Sequence, residues 1–256
     1  MTTDRTLFDY LLRLADSDLI LAQRLGEWLG HGPVLEEDIA FANVGLDLLG
    51  QARMWFAYAS EVETRMNGRG RTEDELALLR DGGDFRNLLL VEQPNGNYAD
   101  TIARQFYFDV WHQLLLTRLE RSADARIAEI AAKALKEVTY HVERSTDWII
   151  RLGDGTDVSH ARMQAAIDVL SPYTGEMFTA DATDRALTGD GVACDSESLL
   201  APWRERVGAV LSEATLTLPS AEWMQRGGKQ GVHTEHLGHV LAEMQWLQRA
   251  YPGAQW

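Results

Sequence analysis

Two carboxylates, Asp47 and Glu137, stand on long helical stretches at the position that opens a metal-binding motif. In a carboxylate-bridged di-metal bundle, Glu-x-x-His places two ligands three residues apart on one helix face, where both reach the same ion. The residue three positions further on is Gly50 in the first segment and Tyr140 in the second. Neither residue supplies the nitrogen ligand, so the sequence predicts a bundle of this kind that has lost its metal.

Neighbouring residues offer a rearranged site as an alternative. Asp109 and His112 form a true Asp-x-x-His on the third predicted helix, and His141 follows Glu137 by four residues on the fourth. One hypothesis is a rewired metal site built from these four residues. We favour a polar core network instead, because no second complete motif exists; in such a network, hydrogen bonds satisfy carboxylates that are costly to bury alone. The candidates for this network are Asp47, Asp109, His112, Glu137, Tyr140 and His141, with Arg53 as a further partner, and we expect no catalytic, cofactor-binding or metal-ligating residue.

Three histidines within seven residues open the last predicted helix: His233, His236 and His239. They do not form the His-Glu-x-x-His zinc motif, because His236 and His239 are only three residues apart, no glutamate follows the first of them, and Glu235 precedes the pair. We interpret the segment as a helix N-terminus that packs against the bundle or against a partner.

Four long segments with apolar residues at helical spacing must position these side chains. The first ends at Gly30 and carries Asp16, Asp18 and Glu27 as possible ligands; the second starts with an acidic turn at Glu36 and reaches about residue 66. The third covers about 98–121 and the fourth ends near 152. Two hairpins joined by a long crossover, here 67–97, form the ferritin-like topology. The apolar positions of the second segment are Ile39, Ala42, Leu46, Leu49 and Phe56, and the seam of the fourth is Ile127, Ala131, Ala134, Val138, His141, Ser145, Trp148 and Leu152.

The predicted fold class is therefore all-α, a single ferritin-like domain over residues 1–256. Residues 1–152 form its core bundle, and 153–256 add further helices at about 157–178, 196–215 and 233–251. The polar stretch 179–195 is predicted to be a loop.

The amino-acid composition argues against several classes of partner and site. With 39 acidic and 24 basic residues the formal charge is −15, which disfavours nucleic acid or an anionic membrane as a partner. Cys194 is the single cysteine, so the chain has no disulfide framework and no thiolate zinc site, and its neighbours do not activate it. The N-terminal stretch has no apolar run of the length that spans a membrane. We expect a cytoplasmic protein.

Several long blocks resemble the C subunits of the bacterial ring 1,2-phenylacetyl-CoA epoxidases, and they span nearly the whole chain in order. They are Leu25-Gly26-Glu27-Trp28, the stretch from Ala42 to Arg53, the stretch from Asn87 to Asn97, the stretch from Gly153 to Val158, and the C-terminal stretch from Gly227 through His233 and Gly238 to Gln245.

The resemblance implies a multicomponent oxygenase of aerobic phenylacetate degradation, which converts phenylacetyl-CoA to its ring 1,2-epoxide with O2 and NADPH. In such enzymes the homologous, ferritin-like A subunit is catalytic and holds the di-iron centre and the substrate. The C subunit pairs with it as a structural, non-catalytic partner. The B subunit bridges such pairs, and a reductase with FAD and an iron–sulfur cluster supplies electrons.

Two other functions stay open at this point. One is an independent di-metal oxidase that uses Asp109, His112, Glu137 and His141. The other is a stand-alone protein that binds CoA thioesters.

Overall fold

The computed structural model describes residues 3–220 and 223–254, and the chain divides into two compact units. Unit 1 comprises Met1–Gln93 and Gly227–Trp256, and unit 2 comprises Pro94–Arg226. The described residues form helices and connecting turns without a strand, so the predicted all-α fold class is confirmed, and the architecture fits a ferritin-like helical bundle. The boundary at residue 152 between a core bundle and added helices stays a prediction.

Unit 1 is built on a hairpin of two long helices, α1 (Asp4–Gly26) and α2 (Leu35–Asn67), which pack against each other. The side chain of Thr3 accepts a hydrogen bond from the Thr6 backbone N–H and caps α1, and three acidic residues in the first turn of α2 complement its helix dipole. The crossover contains α3 (Glu73–Leu78) and a short 3₁₀ turn. The last helix, α9 (Glu235–Ala250), packs on α1 and α3.

Unit 2 is built on a second hairpin, α4 (Tyr98–Leu119) and α5 (Ala125–Gly153). Two more helices pack on it, α6 (Asp157–Leu170) and α8 (Leu200–Glu213). The indole of Trp203 on α8 donates a hydrogen bond to the Tyr107 carbonyl oxygen on α4 (3.1 Å), and the Tyr107 hydroxyl donates to the Ile167 carbonyl oxygen on α6 (3.3 Å). These two hydrogen bonds connect α4 to both α8 and α6.

The ends of the four long predicted helices are confirmed to within a few residues, but two later predictions are wrong. The segment 157–178 is not one helix: α6 ends at Leu170, and short 3₁₀ turns follow because Pro172 lacks a backbone N–H donor. The stretch 179–195 is not a loop, because it contains α7 (Ala182–Gly189). A reciprocal capping box of Asp181 and Asp184 nucleates α7, and Leu187 is fully buried under it.

The predicted apolar face of α2 is also wrong in part. Ile39 and Leu46 are 51% and 65% exposed. The helix is buried instead through a second apolar face, formed by Phe41, Val44 and Leu48 and continued by Trp55. Both faces repeat at helical spacing, so periodicity alone does not tell which one points inward.

A buried ion pair fixes the crossover of unit 1 against α1. The guanidinium of Arg80 binds both oxygens of Asp16, with one contact at 3.0 Å, and the Arg86 backbone N–H donates to Asp16 Oδ2 (2.8 Å). Arg80 also lies over the ring of Phe85, 4.2 Å from its centroid. Both charged side chains are almost completely buried, so each depends on the other for compensation of its charge.

Substitution of Arg80 by Met should lower the free energy of unfolding by about 3–5 kcal/mol, because Asp16 would remain as a buried charge without its cation. Urea denaturation followed by circular dichroism measures the change. The matched control is Asp81→Asn, which breaks the exposed Arg249–Asp81 pair and should cost less than about 1 kcal/mol. Equal effects of the two variants would contradict the role given to the buried pair.

Candidate functional site

The structure places the two broken motifs one residue away from the buried face of their helices. On α5, Glu137 is partly buried and Tyr140 is 51% exposed, while Val138 and His141 are buried. The expectation that Tyr140 belongs to the polar core is therefore wrong, because its position on the helix directs it to solvent. The inward-facing pair at a spacing of three residues is Val138 and His141.

The same shift holds on α2. Asp47 is partly buried and Gly50 is exposed, while Leu48 and Gln51 are completely buried. The buried positions that correspond to Glu-x-x-His thus hold Leu-x-x-Gln on α2 and Val-x-x-His on α5. Neither buried pair contains a carboxylate, and only the pair on α5 contains an imidazole.

Three of the predicted polar residues do come together inside unit 2. Asp109 and His112 on α4, and His141 on α5, are each no more than 2% exposed. The Gln105 side-chain amide donates a hydrogen bond to Asp109 Oδ1 (2.5 Å), and the His112 ring packs against the ring of Phe108 at 5.0 Å between centroids. Glu137, the fourth residue of the rewired-site hypothesis, is outside this buried group.

Burial sets the protonation of this cluster. Desolvation raises the pKa of Asp109 to about 6, although the positive charges of His141 and Arg144 and hydrogen bonds from Ser145 and Gln105 oppose the rise. Desolvation, reinforced by the charge of His141, lowers the pKa of His112 to about 3. At pH 7 these shifts leave His112 neutral, whereas Asp109 is mostly ionised and is stabilised by hydrogen bonds from Gln105 and Ser145 and by the charge of Arg144.

The carboxylates of the first helix are in different surroundings. Asp16 is fully engaged by Arg80 and the Arg86 backbone, so its oxygens are occupied by protein donors. Asp18 is buried, and Glu27, at the end of the helix, forms an ion pair with Arg24 (2.9 Å). Within residues 3–220 and 223–254, no group of three or more His, Cys, Asp or Glu side chains is placed to hold a metal ion.

Glu92 is a central residue of unit 1 that sequence reasoning missed. It is completely buried, and its Oε1 accepts from the backbone N–H (2.7 Å) and hydroxyl (2.8 Å) of Thr234. Its Oε2 lies 3.0 Å from the Asn87 amide nitrogen and 2.9 Å from His233 Nδ1. One sequence signal points to Glu92: it is a single glutamate directly after the apolar run Leu88-Leu89-Leu90-Val91. All four residues of that run are buried.

The histidine cluster is explained by the same contacts. His233 Nε2 is 3.1 Å from the Phe85 carbonyl oxygen, which only accepts, so this nitrogen donates and a proton is held between Nδ1 and Glu92. His236 is partly buried and His239 is exposed. The prediction that this segment is a helix N-terminus packed on the bundle is confirmed for unit 1, since both His233 and Thr234 bind Glu92.

Two further predictions concern Cys194 and the membrane. Burial is the main cause that raises the pKa of the Cys194 thiol to about 12, so it stays protonated and weakly reactive at neutral pH.

Over the described part of the chain, each helix is either too short or too polar to span a lipid bilayer.

Substitution of Asp109 by Asn should change stability with pH in a defined direction. The carboxyl titrates near 3.8 when unfolded and near 6 when folded, so wild-type stability falls as the pH rises between these values. Asn does not ionise. The stability of the variant relative to wild type should therefore increase by about 1–3 kcal/mol from pH 4 to pH 7, measured by urea unfolding at each pH.

The control for this titration is His112→Gln, which should show the opposite trend. The unfolded imidazole protonates below about 6.5 while the folded one stays neutral to about 3, so wild-type stability is lost as the pH falls through this range. The Gln variant should therefore gain relative to wild type towards acidic pH. If the stability of both variants relative to wild type changed with pH in the same direction, the assigned pKa shifts would be contradicted.

Comparison with known proteins agrees with this picture. The sequence model of the family described as "Phenylacetic acid catabolic protein" matches residues 1–256. The chain is 56% identical over 247 residues to the C subunit of 1,2-phenylacetyl-CoA epoxidase from Escherichia coli (strain K12), an alignment that covers 96% of this chain and 98% of that protein. The resemblance inferred from the sequence blocks is confirmed, and the chain belongs to the phenylacetic acid catabolic protein family.

Proposed function

We propose that this chain is the structural, non-catalytic subunit of a multicomponent 1,2-phenylacetyl-CoA epoxidase in aerobic phenylacetate degradation. The observation that carries the proposal is the 56% identity to the C subunit of such an epoxidase over nearly the full length of both chains. A shared sequence at this level, without gaps of domain size, favours the same place in the same kind of complex.

The interior of the chain supports a role without chemistry of its own. The buried residues that follow Asp47 and Glu137 are the aliphatic Leu48 and Val138, and Asp16 is occupied by Arg80. Asp109 and His112 remain, but Glu137, the second carboxylate of the alternative site, is only partly buried and lies outside their buried group. A bundle of this kind keeps its shape through internal pairing, and its contribution to a complex is its outer surface.

In the complex, we assign the di-iron chemistry to the homologous A subunit and electron supply to a reductase with FAD and an iron–sulfur cluster. The B subunit completes the assembly, and the location is the cytoplasm. Epoxidation of phenylacetyl-CoA by O2 consumes two electrons and two protons, which NADPH and one further proton provide, and the second oxygen atom leaves as water. None of these steps requires a ligand from this chain.

Omission from the reconstituted enzyme tests the structural role. The A and B subunits with the reductase, when this chain is left out, should lose at least about 90% of phenylacetyl-CoA-dependent NADPH oxidation and epoxide formation, and adding the purified chain back should restore both. Retention of full activity without this chain would refute an essential role. The control is boiled chain, which should not restore activity.

Variants of the buried cluster test whether the chain is catalytic. His141→Gln, and separately Asp109→Asn, should leave epoxidation in the assembled enzyme within about two-fold of wild type at a temperature where each variant is folded. The purified chain should also carry far less than one iron or manganese per polypeptide by atomic emission. Near-stoichiometric metal that is lost in an Asp109→Ala/Glu137→Ala variant would instead support the independent di-metal oxidase.

A further inference from the structure

One face of α2 carries large apolar side chains that stay exposed in the described part of the chain. Leu35 is 70% exposed, Ile39 51% and Leu46 65%, and Leu29 and Val34 in the turn before the helix are also more than half exposed. Single exposed apolar residues are ordinary, but a contiguous apolar face marks an interaction site. The feature lies on the helix whose other apolar face is already buried in unit 1.

The spacing of this face indicates what shape fits it. Its members repeat in steps of four and three residues, the periodicity with which side chains of one helix interlock with those of another. We call this set the α2 stripe; it comprises Leu35, Ile39, Ala42, Leu46 and Leu49, and Arg53 follows at its C-terminal end. The alternation of large residues with Ala42 provides the knobs and holes that a second helix requires.

The equivalent helix of unit 2 provides an internal comparison. Buried residues of α2 at 41, 44, 48, 51 and 52 have counterparts on α5 at 131, 134, 138, 141 and 142, a constant offset along the chain. With the same offset, the positions on α5 that match 39, 46, 49 and 53 hold polar, exposed side chains: Glu129, Lys136, Thr139 and Glu143. The solvated face of α5 is therefore polar, and the apolar α2 stripe is an exception that requires a cover.

The charged residues beside the stripe indicate which kind of partner binds there. The charged residues of α2 from Leu35 to Ala52 are all acidic. Of these, Glu36 and Asp47 are 11 residues apart and so lie on the same flank of the stripe, while the Asp38 carboxylate accepts from the Gly30 and Gly32 backbone N–H groups. A second copy that docked antiparallel would bring the same acidic flank of both helices together, and a parallel copy would place Arg53 against Arg53. Both arrangements oppose like charges, whereas a different helix with basic residues beside its apolar stripe would match the flank.

We propose that the α2 stripe is the docking face for a helix of a partner subunit of the epoxidase, one that presents an apolar stripe flanked by Lys or Arg. The proposal rests on the proposed function, since it names the surface through which this chain joins the complex. The stripe supplies the apolar centre of the interface, and the acidic flank fixes the orientation of the bound helix. The chain thus presents to its partner a face of α2 that its own core does not use.

Charged substitutions in the stripe test the proposal. Leu46→Lys and Ile39→Lys should each weaken binding to the other epoxidase subunits by at least about ten-fold, measured by co-purification and by biolayer interferometry with the immobilised chain. Both positions are more than half exposed, so the variants should keep the wild-type circular dichroism and urea midpoint. The matched control is Val169→Lys on α6, which is 66% exposed and should leave binding unchanged.

The acidic flank has its own measurement. The Glu36→Lys/Asp47→Lys variant should slow association with the partner several-fold at low salt, and the difference should shrink as ionic strength rises. An unchanged association rate at low salt would contradict the charge-based assignment of the partner.

The outcomes separate this inference from the proposed function. Failure of the wild-type chain to bind any epoxidase subunit would refute the proposed function. Binding by wild type and by Leu46→Lys with equal affinity would leave that function standing and overturn the α2 stripe as the docking face. A wild-type homodimer that Leu46→Lys converts to a monomer, seen by light scattering, would show that a second copy covers the stripe and would overturn the choice of a partner subunit.

Discussion

The stability of unit 1 depends on one constraint: a carboxylate removed from water must receive hydrogen bonds from donors in the protein. Glu92 is completely buried, and donors from Asn87, Thr234 and His233 converge on its side chain, while the Arg24 guanidinium donates to its carbonyl oxygen (2.7 Å). Leaving such a group unpaired costs several kcal/mol. The donors come from α1, from the crossover and from the segment before α9. One buried acid therefore joins parts of unit 1 that lie far apart along the chain.

The same rule accounts for the other buried acids of the two units. A metal site gathers carboxylates in the core and compensates their charge with cations. Here Asp16 is compensated by Arg80, and Asp109 accepts a hydrogen bond from Gln105 and lies within the field of the Arg144 charge. The buried residues that follow Asp47 and Glu137 are the aliphatic Leu48 and Val138. In both units the protein itself therefore supplies the groups that compensate these buried carboxylates.

Sequence reasoning succeeded where the signal is local. Apolar spacing with caps defined the four long helices, because nucleation and amphipathic packing leave a clear periodic pattern. It failed for α7, where the capping residues Asp181 and Asp184 also suit a loop, and for the break after α6. It also placed Asp47 and Glu137 on the inner face of their helices. The burial of Leu48 and Val138 shows that the true inner register is one residue later.

The sequence by itself determined the all-helical fold, the spans of the long helices, the lack of histidine at positions 50 and 140, and the resemblance that the family comparison confirms. Only the tertiary structure decided which of the two apolar faces of α2 is buried and which buried groups pair, such as Glu92 with His233. The physical reason is that helical periodicity fixes the angles between side chains on one helix. It does not fix the direction in which the neighbouring segments lie, and that direction depends on contacts between residues far apart in the chain.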